Sequence, residues 1–590
     1  MRILRVLLVV AVSLISRPLA ESGTQPMTED AKLAKHFTQY LNAEFKLHPL
    51  YATRSGNHDY DDKLDDLSPK ARKASNERAR KTLAELPKVI DYKKLSRSGQ
   101  IDFEIWQHEL KKSLWLADNT DPFANDPRVY TDYITDSVYA LLTQSTLPQP
   151  VNVRNAISRI AQVPKVVAAA KESIKKPAKA LTEVAIKQNR GAIAFYERGI
   201  FELAGADADN PDFKKACKAL VPVLKDYQKF LEDDVLPRST GDWKIGKKKF
   251  AEKMLLELDA GVTAAEVLKE AEDEAVKVEN EMYVIARQLW KQTFPDKTLP
   301  VDDEAGRRET IRLVLDVTSK EHGKADDLIV DARAGVAKIN AFIKAKDIIR
   351  LPDPDRCKII EMPEFQRGFS IAYLNPAPPL DAKASSYYAI SPPPSTWEPK
   401  RVKSFMEEYN RHILQILTIH EAYPGHYVQL EYANRHPSLI RKIYSSGIFA
   451  EGWAVYVEKV MLDEGFGNGD PKLRLHQLKW YMRAVCNTIL DYKMHCTDIS
   501  DEDAIRFLIL RAFQSEAEAI LKILRAKQSS CQLSTYFVGR MAFQRLRRSV
   551  QNELGERFEL GRFHEAALAH GSLPVKYLPE VTRERLKRAR

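Results

Sequence analysis

Cysteine is scarce in this sequence, and long apolar runs are confined to its first residues. Five cysteines occur among 590 residues, and none has C-x-x-C spacing. A disulfide framework is therefore excluded, although one bridge involving Cys486 or Cys496 is permitted in an oxidising compartment. After the N-terminus no stretch approaches the roughly 20 apolar residues that span a bilayer. The sequence therefore predicts a mature chain without a membrane span.

Recognised nucleic-acid-binding motifs are also missing. The basic run RERLKRAR at residues 583–590 is more typical of a short cationic helix end than of a nucleic-acid tail. The formal net charge is +10, and three of the positive charges lie in the first twenty residues. A composition of 44% hydrophobic and 29% charged residues is globular. These features exclude nucleic acid as the main partner.

The first twenty residues have the pattern of a secretory signal peptide. Two arginines form a basic start, an apolar run covers residues 6–15, and Ala20 ends the segment. Because Pro18 stands at the −3 position, where a small residue is usual, the segment is either cleaved or kept as an N-terminal anchor, and cleavage is favoured. The sequence predicts a signal peptide at residues 1–20 and an exported protein, periplasmic or extracellular.

Helical periodicity dominates most of the chain. Thr263 and Glu266 form a capping-box pattern, and the apolar stripe after them predicts a long helix packed on a neighbour. Further helices are predicted at residues 182–203, 325–346, 404–420, 472–495 and 501–526. The stripe consists of Leu268, Ala271, Ala275, Val278, Met282, Ile285 and Leu289.

One interval, residues 358–397, departs from this pattern. Its short apolar or alternating runs are separated by prolines, which predicts a few short strands. The fold class is therefore mainly α with a small β-sheet. A helical N-terminal lobe at residues 21–350 and a second lobe at 351–590 are predicted, with one continuous domain as the alternative.

The segment LTIHEAYPGHY at residues 417–427 contains two histidines and a glutamate that could form a metal site. In a zinc hydrolase two neutral imidazoles and a third protein ligand hold Zn²⁺, and the open position carries a water whose pKa falls to about 7. A carboxylate beside the first ligand can take that water's proton. The segment predicts His420 and His426 as zinc ligands, Glu421 as general base, and a zinc-binding catalytic lobe at residues 351–590.

The spacing of the two histidines requires a break in the helix. Six residues at about 100° each leave His420 and His426 about 120° out of phase on an ideal helix, so both could not reach one ion. Pro424 cannot continue the helix ladder, and Gly425 has wide conformational freedom. A kink or bulge at these residues is therefore predicted.

A second H-E-x4-H segment, from His564 to His570, contains neither proline nor glycine. It is predicted to stay helical, with its histidines on different faces. This argues against it as the primary metal site, and it also indicates that the spacing alone is weak evidence.

The third ligand is expected downstream on an adjacent helix. Glu451, in AEGWAVYVE, follows His426 by 25 residues, which allows a loop and a returning helix. Glu458 is the competitor on a similar helical face. Glu451 is favoured because Gly452 is expected to leave space beside it.

These motifs resemble a large bacterial family, the domain of unknown function 885, whose members are regarded as gluzincin-like zinc metallopeptidases. The likeness begins at GDWKIGKKKF and GVTAAEVLKEAEDE, continues through HEAYPGH and EGWA, and ends at STYFVG and FHEAALAHGSLPV. Before about residue 230 only general character matches.

The resemblance implies one zinc ion per chain, held by His420, His426 and Glu451, with Glu421 as general base. It also implies a mostly helical body with a small sheet beside the active-site helix, and an edge strand that docks a peptide substrate. Tyr536 and His564 lie in the last two matching blocks, and either could donate a hydrogen bond to the oxyanion. Packing is the alternative for both.

Hydrolysis of peptide bonds is the leading hypothesis. A second hypothesis keeps the metal but takes a non-peptide amide or ester as substrate. A third is a metal-free, exported helical binding protein, which is disfavoured because both histidines and Glu421 are retained. A serine hydrolase is disfavoured because no G-x-S-x-G occurs.

Overall fold

The computed structural model describes residues 27–362 and 371–588. The signal peptide expected at residues 1–20 lies outside the described residues. The protein is 72% helix and 3% strand, so the mainly α prediction is confirmed. No helix in the described ranges is long and apolar enough to cross a membrane. All five cysteines are free, so the bridge that the sequence permitted at Cys486 or Cys496 is not formed.

Eleven of the described helices precede residue 230. They build the N-terminal part of the molecule and are α1 Glu29–Leu47, α2 Pro49–Ser55, α3 Pro69–Val89, α4 Arg97–Asn119, α5 Pro122–Asn125, α6 Arg128–Thr143, α7 Gln149–Ile160, α8 Val163–Ser173, α9 Lys179–Ala194, α10 Ile200–Ala204 and α11 Pro211–Lys229.

The remaining described elements form a helical body around a small sheet. Four helices come first, namely α12 Gly246–Leu258, α13 Ala264–Thr293, α14 Glu304–Thr318 and α15 Leu328–Ala345. The strands are β1 Cys357–Glu361, β2 Ala372–Asn375 and β3 Ser386–Ile390. The helices after the sheet are α16 Pro399–Glu408, α17 Arg411–Glu421, α18 His426–Asn434, α19 Leu439–Ile443, α20 Gly447–Asp463, α21 Pro471–Cys496, α22 Asp501–Arg511, α23 Glu516–Gln528, α24 Thr535–Leu554, α25 Leu560–Leu568 and α26 Leu578–Arg588.

Helix α13 confirms the capping-box prediction. The Thr263 side chain accepts from the Glu266 backbone N–H, and the Glu266 carboxylate accepts from the Thr263 backbone N–H. Five residues of the predicted stripe are buried and two are partly buried. The stripe packs against α14 and α21, which confirms a long helix packed on its neighbours.

Two predicted helices are each divided in two. The predicted helix at 404–420 is α16 followed by α17, and Asn410 caps α17 by accepting from the backbone N–H groups of His412 and Ile413. The predicted helix at 501–526 is α22 followed by α23, which Ser515 caps. In both cases the apolar period continues across a polar capping residue, whose side chain satisfies N–H groups that the first turn leaves unpaired.

The three strands lie within or at the border of the predicted interval. The strand order is β1-β3-β2, with β1 parallel and β2 antiparallel to β3. The sheet is fixed to α17 because the hydroxyl groups of Tyr388 and Thr418 lie 2.9 Å apart in the buried interior. Strand β2, paired with β3 on one side, lies at one edge of this sheet.

The buried apolar residues do not divide at residue 350. One cluster joins α1–α4 with residues near the C-terminus, and a second spans residues 67–235. The largest, which we name the C-terminal core, runs from Phe250 to Leu578 and includes α12–α15. These four helices were predicted to belong to the N-terminal lobe, but they pack with the elements that carry the HEAYPGH segment.

Candidate metal centre

The HEAYPGH segment is broken into two helices. Helix α17 ends at Glu421 and α18 begins at His426, which confirms the predicted break. Gly425 is required by close approach, because a Cβ there would lie 1.9 Å from the His420 carbonyl oxygen. The connection is held from the other side by Trp453, whose Nε1 donates to the Pro424 carbonyl at 2.8 Å.

The break brings His420 and His426 to the same carboxylate. Their Nε2 atoms lie 3.6 and 3.4 Å from Oε2 of Glu451. Ligand atoms in a tetrahedral zinc site, with bonds near 2.0–2.1 Å, are about 3.4 Å apart. Oε2 of Glu451 is buried and has no hydrogen-bond partner among the described residues. The donor set and its spacing therefore fit a zinc ion.

Within the part of the chain that is described, one cluster of potential metal ligands is found. His420, His426 and Glu451 form the one group of three or more histidine, cysteine or acidic residues there whose ligand atoms lie within 4.8 Å of one another. The H-E-x4-H segment at residues 564–570 contributes nothing to it.

Glu458 lies behind the group. Its Oε1 atom is 2.7 Å from Nδ1 of His420, and its side chain is fully buried. A hydrogen bond from Nδ1 to a carboxylate fixes the imidazole and leaves Nε2 available for a metal. Of the two candidates seven residues apart on α20, Glu451 reaches the histidine cluster and Glu458 orients His420.

The two carboxylates favour positive charge at this position. Burial acts to lower the pKa of His420, but the neighbouring carboxylates of Glu451 and Glu458 outweigh it and hold that pKa well above its usual value. Burial acts to raise the pKa of Glu451, but the neighbouring rings of His426 and His420 lower it. Protons or a divalent cation can supply the positive charge that the carboxylates stabilise.

Gly452 has a different role from the one expected. A Cβ on Gly452 would lie 2.3 Å from the backbone of Gly539, so the two glycines let α20 and α24 cross in direct backbone contact. The space beside Glu451 is therefore filled by α24. Because Tyr536 precedes Gly539 by one turn, the crossing also carries Tyr536 towards Glu451.

Glu421 connects the centre to the sheet. One of its carboxylate oxygens, Oε2, accepts from the backbone N–H of Leu374 at 3.0 Å. Leu374 belongs to β2, so the edge strand lies directly beside the predicted general base. Glu421 is partly exposed, and water can therefore reach its carboxylate.

Tyr536 is in its neutral, donating form. Burial raises the pKa of its hydroxyl, and the charges of Glu451 and Glu421 raise it further. A neutral phenol beside two carboxylates can donate a hydrogen bond to a substrate oxygen.

The prediction for His564 is wrong, because neither ring nitrogen is free to donate to an oxyanion. Nδ1 lies 2.7 Å from the Ile348 carbonyl oxygen and Nε2 lies 2.9 Å from the Tyr456 hydroxyl. Nδ1 must carry the proton to donate to a carbonyl, so Nε2 accepts from Tyr456. Burial lowers the pKa of His564 to about 3, which keeps the ring neutral and leaves it a packing residue.

The expected continuous helix at residues 564–570 is also wrong. Helix α25 ends at Leu568, and Gly571 follows with a φ of 77°. Glycine just beyond a helix commonly takes this left-handed conformation. The sequence therefore contained the signal that His570 lies outside the helix.

Solved structures and a family model are similar to this chain over most of its length. A candidate lipoprotein of unknown function from Shewanella oneidensis is 30% identical with a TM-score of 0.79, covering 94% of this chain and 99% of that one. A candidate lipoprotein from Colwellia psychrerythraea is 18% identical with a TM-score of 0.77, covering 95% and 100%. No curated protein matches. Because the model for bacterial proteins of unknown function, DUF885, matches residues 49–581, the chain belongs to that family.

Proposed function

We propose that this protein is an exported, zinc-dependent peptidase related to the gluzincins. The proposal rests mainly on Oε2 of Glu451, which is buried and has no hydrogen-bond partner among the described residues. This atom lies 3.6 and 3.4 Å from the Nε2 atoms of His420 and His426. In this proposal these three residues hold one zinc ion. The bound ion supplies Lewis acidity that lowers the pKa of water to about 7 and polarises a carbonyl group.

The general base is Glu421. It adjoins the ligand His420 in sequence, and its partly exposed carboxylate can take a proton from the attacking water and pass it to the leaving amine. The hydrogen bond from Leu374 at 3.0 Å orients this carboxylate. Tyr536, kept neutral by burial and by neighbouring carboxylates, donates to the oxygen on which negative charge develops.

The substrate in this proposal is a peptide in extended form. Leu374 presents its backbone N–H towards Glu421 rather than towards β3, so the outer edge of β2 runs along the centre. A peptide that adds to this edge has its backbone held by main-chain hydrogen bonds. The same edge places its carbonyl groups near Glu421.

Export is supported by two separate features. The first twenty residues have the pattern of a signal peptide. The two solved structures described above are of candidate lipoproteins, a class that bacteria export. The proposal therefore places the protein outside the cytoplasm, in the periplasm or at the cell exterior.

A peptide-library digest of the purified protein tests the proposal. We expect cleavage that a chelator abolishes and that one equivalent of zinc restores. Cleavage of simple amides or esters, with every peptide left intact, would favour a different zinc hydrolase. A protein that binds no zinc after reconstitution would contradict the proposal and favour a binding protein.

A further inference from the structure

Lys522, in the middle of α23, forms neither a hydrogen bond nor an ion pair with any residue in the described ranges. The side chain is half-buried. Burial, together with the positive charges of Arg483 and Arg525, outweighs the opposing charge of Glu518 and lowers the pKa of Lys522 to about 7. A half-buried lysine without a partner is uncommon, because removing a cation from water is costly unless a counter-charge is present.

The neighbours of Lys522 on α23 define the direction in which it points. Glu518 and Arg525 lie one turn before and one turn after it, on the same helical face. Glu518 pairs with Arg483 of α21 at 3.3 Å, and Arg525 donates to Gln532, just before α24, at 3.1 Å. Lys522 therefore lies on the face of α23 that is directed towards α21 and the start of α24.

This face of α23 lies near Tyr536 of the candidate metal centre. Tyr536 lies one turn after Gln532, at the start of α24. The charges of Glu451 and Glu421 raise the pKa of Tyr536, and the charge of Arg525 lowers it. Tyr536 is therefore near enough to both Arg525 of α23 and Glu451 of the cluster for their charges to act on it.

The two nearby carboxylates pair with other cations, although Oε2 of Glu518 is buried without a hydrogen-bond partner among the described residues. Glu408 pairs with Lys479 at 2.9 Å and with Arg483 at 3.5 Å. Arg483 is shared between Glu408 and Glu518, so its charge is balanced. Lys522 and Arg525 have no carboxylate within ion-pair distance among the described residues, and the face therefore has an excess of positive charge.

We propose that Lys522, assisted by Arg525, forms a subsite for a carboxylate group of the substrate. The carboxylate is either the C-terminal group of a peptide or an acidic side chain, and it supplies the counter-charge that the protein lacks there. This inference rests on the proposed peptidase function, because it assigns the subsite to the substrate of the same centre.

Calorimetric titration of the zinc-loaded chain carrying Glu421→Gln tests the subsite without turnover. Three short peptides of otherwise equal sequence are compared: one with a free C-terminal carboxylate, one amidated, and one amidated with a glutamate side chain. Lys522→Met is compared with Lys527→Met, a control on the same helix whose amine pairs with Asp501. Lys522→Arg tests whether positive charge alone restores binding.

We expect Lys522→Met to weaken binding of one carboxylate-bearing peptide by about 10- to 100-fold, the range of a charge-assisted hydrogen bond. The neutral amidated peptide and the Lys527→Met protein should show no change. Which carboxylate is affected identifies the C-terminal or the side-chain source. The subsite would be overturned if Lys522→Met weakened the binding of all three peptides equally. It would also be overturned if the chain with Lys522 intact bound all three peptides with equal affinity, or bound none of them.

Failure of the proposed function and failure of this subsite give different results. A chain with Glu421 intact that binds the peptides but cleaves none contradicts the peptidase, while the Lys522 comparison still decides the subsite. Melting curves of both methionine variants show whether the fold is retained, and removal of a half-buried cation is expected to leave it stable.

Discussion

At the scale of single residues, Glu451 and Glu458 show how identical side chains on one helix acquire different roles. Both are glutamates of α20, and seven residues bring them to a similar face. Glu451 reaches Nε2 of both histidines, whereas Glu458 reaches Nδ1 of His420. The difference depends on the position of α20 relative to α17, which the sequence does not encode locally.

Replacing Glu458 tests its orienting role. Glu458→Gln removes the carboxylate that holds His420, and we expect zinc affinity to fall about 10- to 100-fold. Competition with a chromophoric chelator measures the affinity. Asp463→Asn is the control, because Asp463 lies at the end of the same helix and pairs with Lys459 at 2.7 Å. Equal zinc affinity in wild type and Glu458→Gln would rule out an orienting role.

Residue types alone located most of the candidate centre. His420, Glu421 and His426 could be named because Pro424 and Gly425 marked a break that the spacing required. Glu451 was named from its position downstream and from the family resemblance, while the space expected at Gly452 is taken by Gly539. His564 could not be judged in the same way, because its partners at Ile348 and Tyr456 are distant in sequence. The hydrogen bond from Leu374 to Glu421 was missed for the same reason.

At the scale of elements, the connection between α17 and α18 sets the geometry of the centre. Its chain path depends on direct contact between Gly425 and the His420 carbonyl. The break was predictable from Pro424 and Gly425, but its form as two separate helices depends on tertiary support from Trp453. Helix ends at Asn410, Ser515 and Gly571 were missed because apolar periodicity continues past capping residues.

A methyl group at Gly425 tests this connection. Gly425→Ala puts a Cβ 1.9 Å from the His420 carbonyl oxygen, which is too close for the two atoms to coexist. We therefore expect the free energy of unfolding to fall by about 1–3 kcal/mol and zinc binding to weaken. Gly335→Ala is the control, since nothing lies within 4 Å of its Cβ position in α15. That change is expected to stabilise the protein by about 0.5–1 kcal/mol. Denaturant unfolding that shows no difference between the two variants would refute the contact.

At the scale of the whole molecule, contacts between distant parts of the chain determine which helices pack into the same apolar core. Helix α13 packs on α21, which follows it by nearly two hundred residues. Arg441, almost fully buried, pairs with Asp102 of α4 at 2.6 Å and joins the N-terminal helices to α19. Apolar stripes are similar on both sides of residue 350, so the sequence predicted the helices but not the core to which each belongs.

One contact between the N-terminal helices and the sheet region depends on pH. His58 lies 2.8 Å from Asp61 and 3.5 Å from Asp381, and the hydrogen bond to Asp61 raises the pKa of His58 against the opposing effect of burial. A raised pKa means that the protonated form stabilises the folded state. That stabilisation is complete below the unfolded-state pKa and is lost as the pH rises through the folded-state pKa.

Thermal melting of wild type and His58→Gln measures this contribution. We expect the wild-type advantage in Tm to be larger at pH 5.5 than at pH 8.5. A wild-type advantage that is equal at both pH values would show that the charge of His58 does not contribute.

The most direct test of the central claim compares zinc content and peptidase activity in wild type and Glu421→Gln. We expect one equivalent of zinc in both proteins and a loss of turnover in the variant by about 10²- to 10⁴-fold, because Glu421 moves the proton but does not hold the metal. Zinc bound by neither protein after reconstitution, or equal peptidase activity in both, would contradict the account.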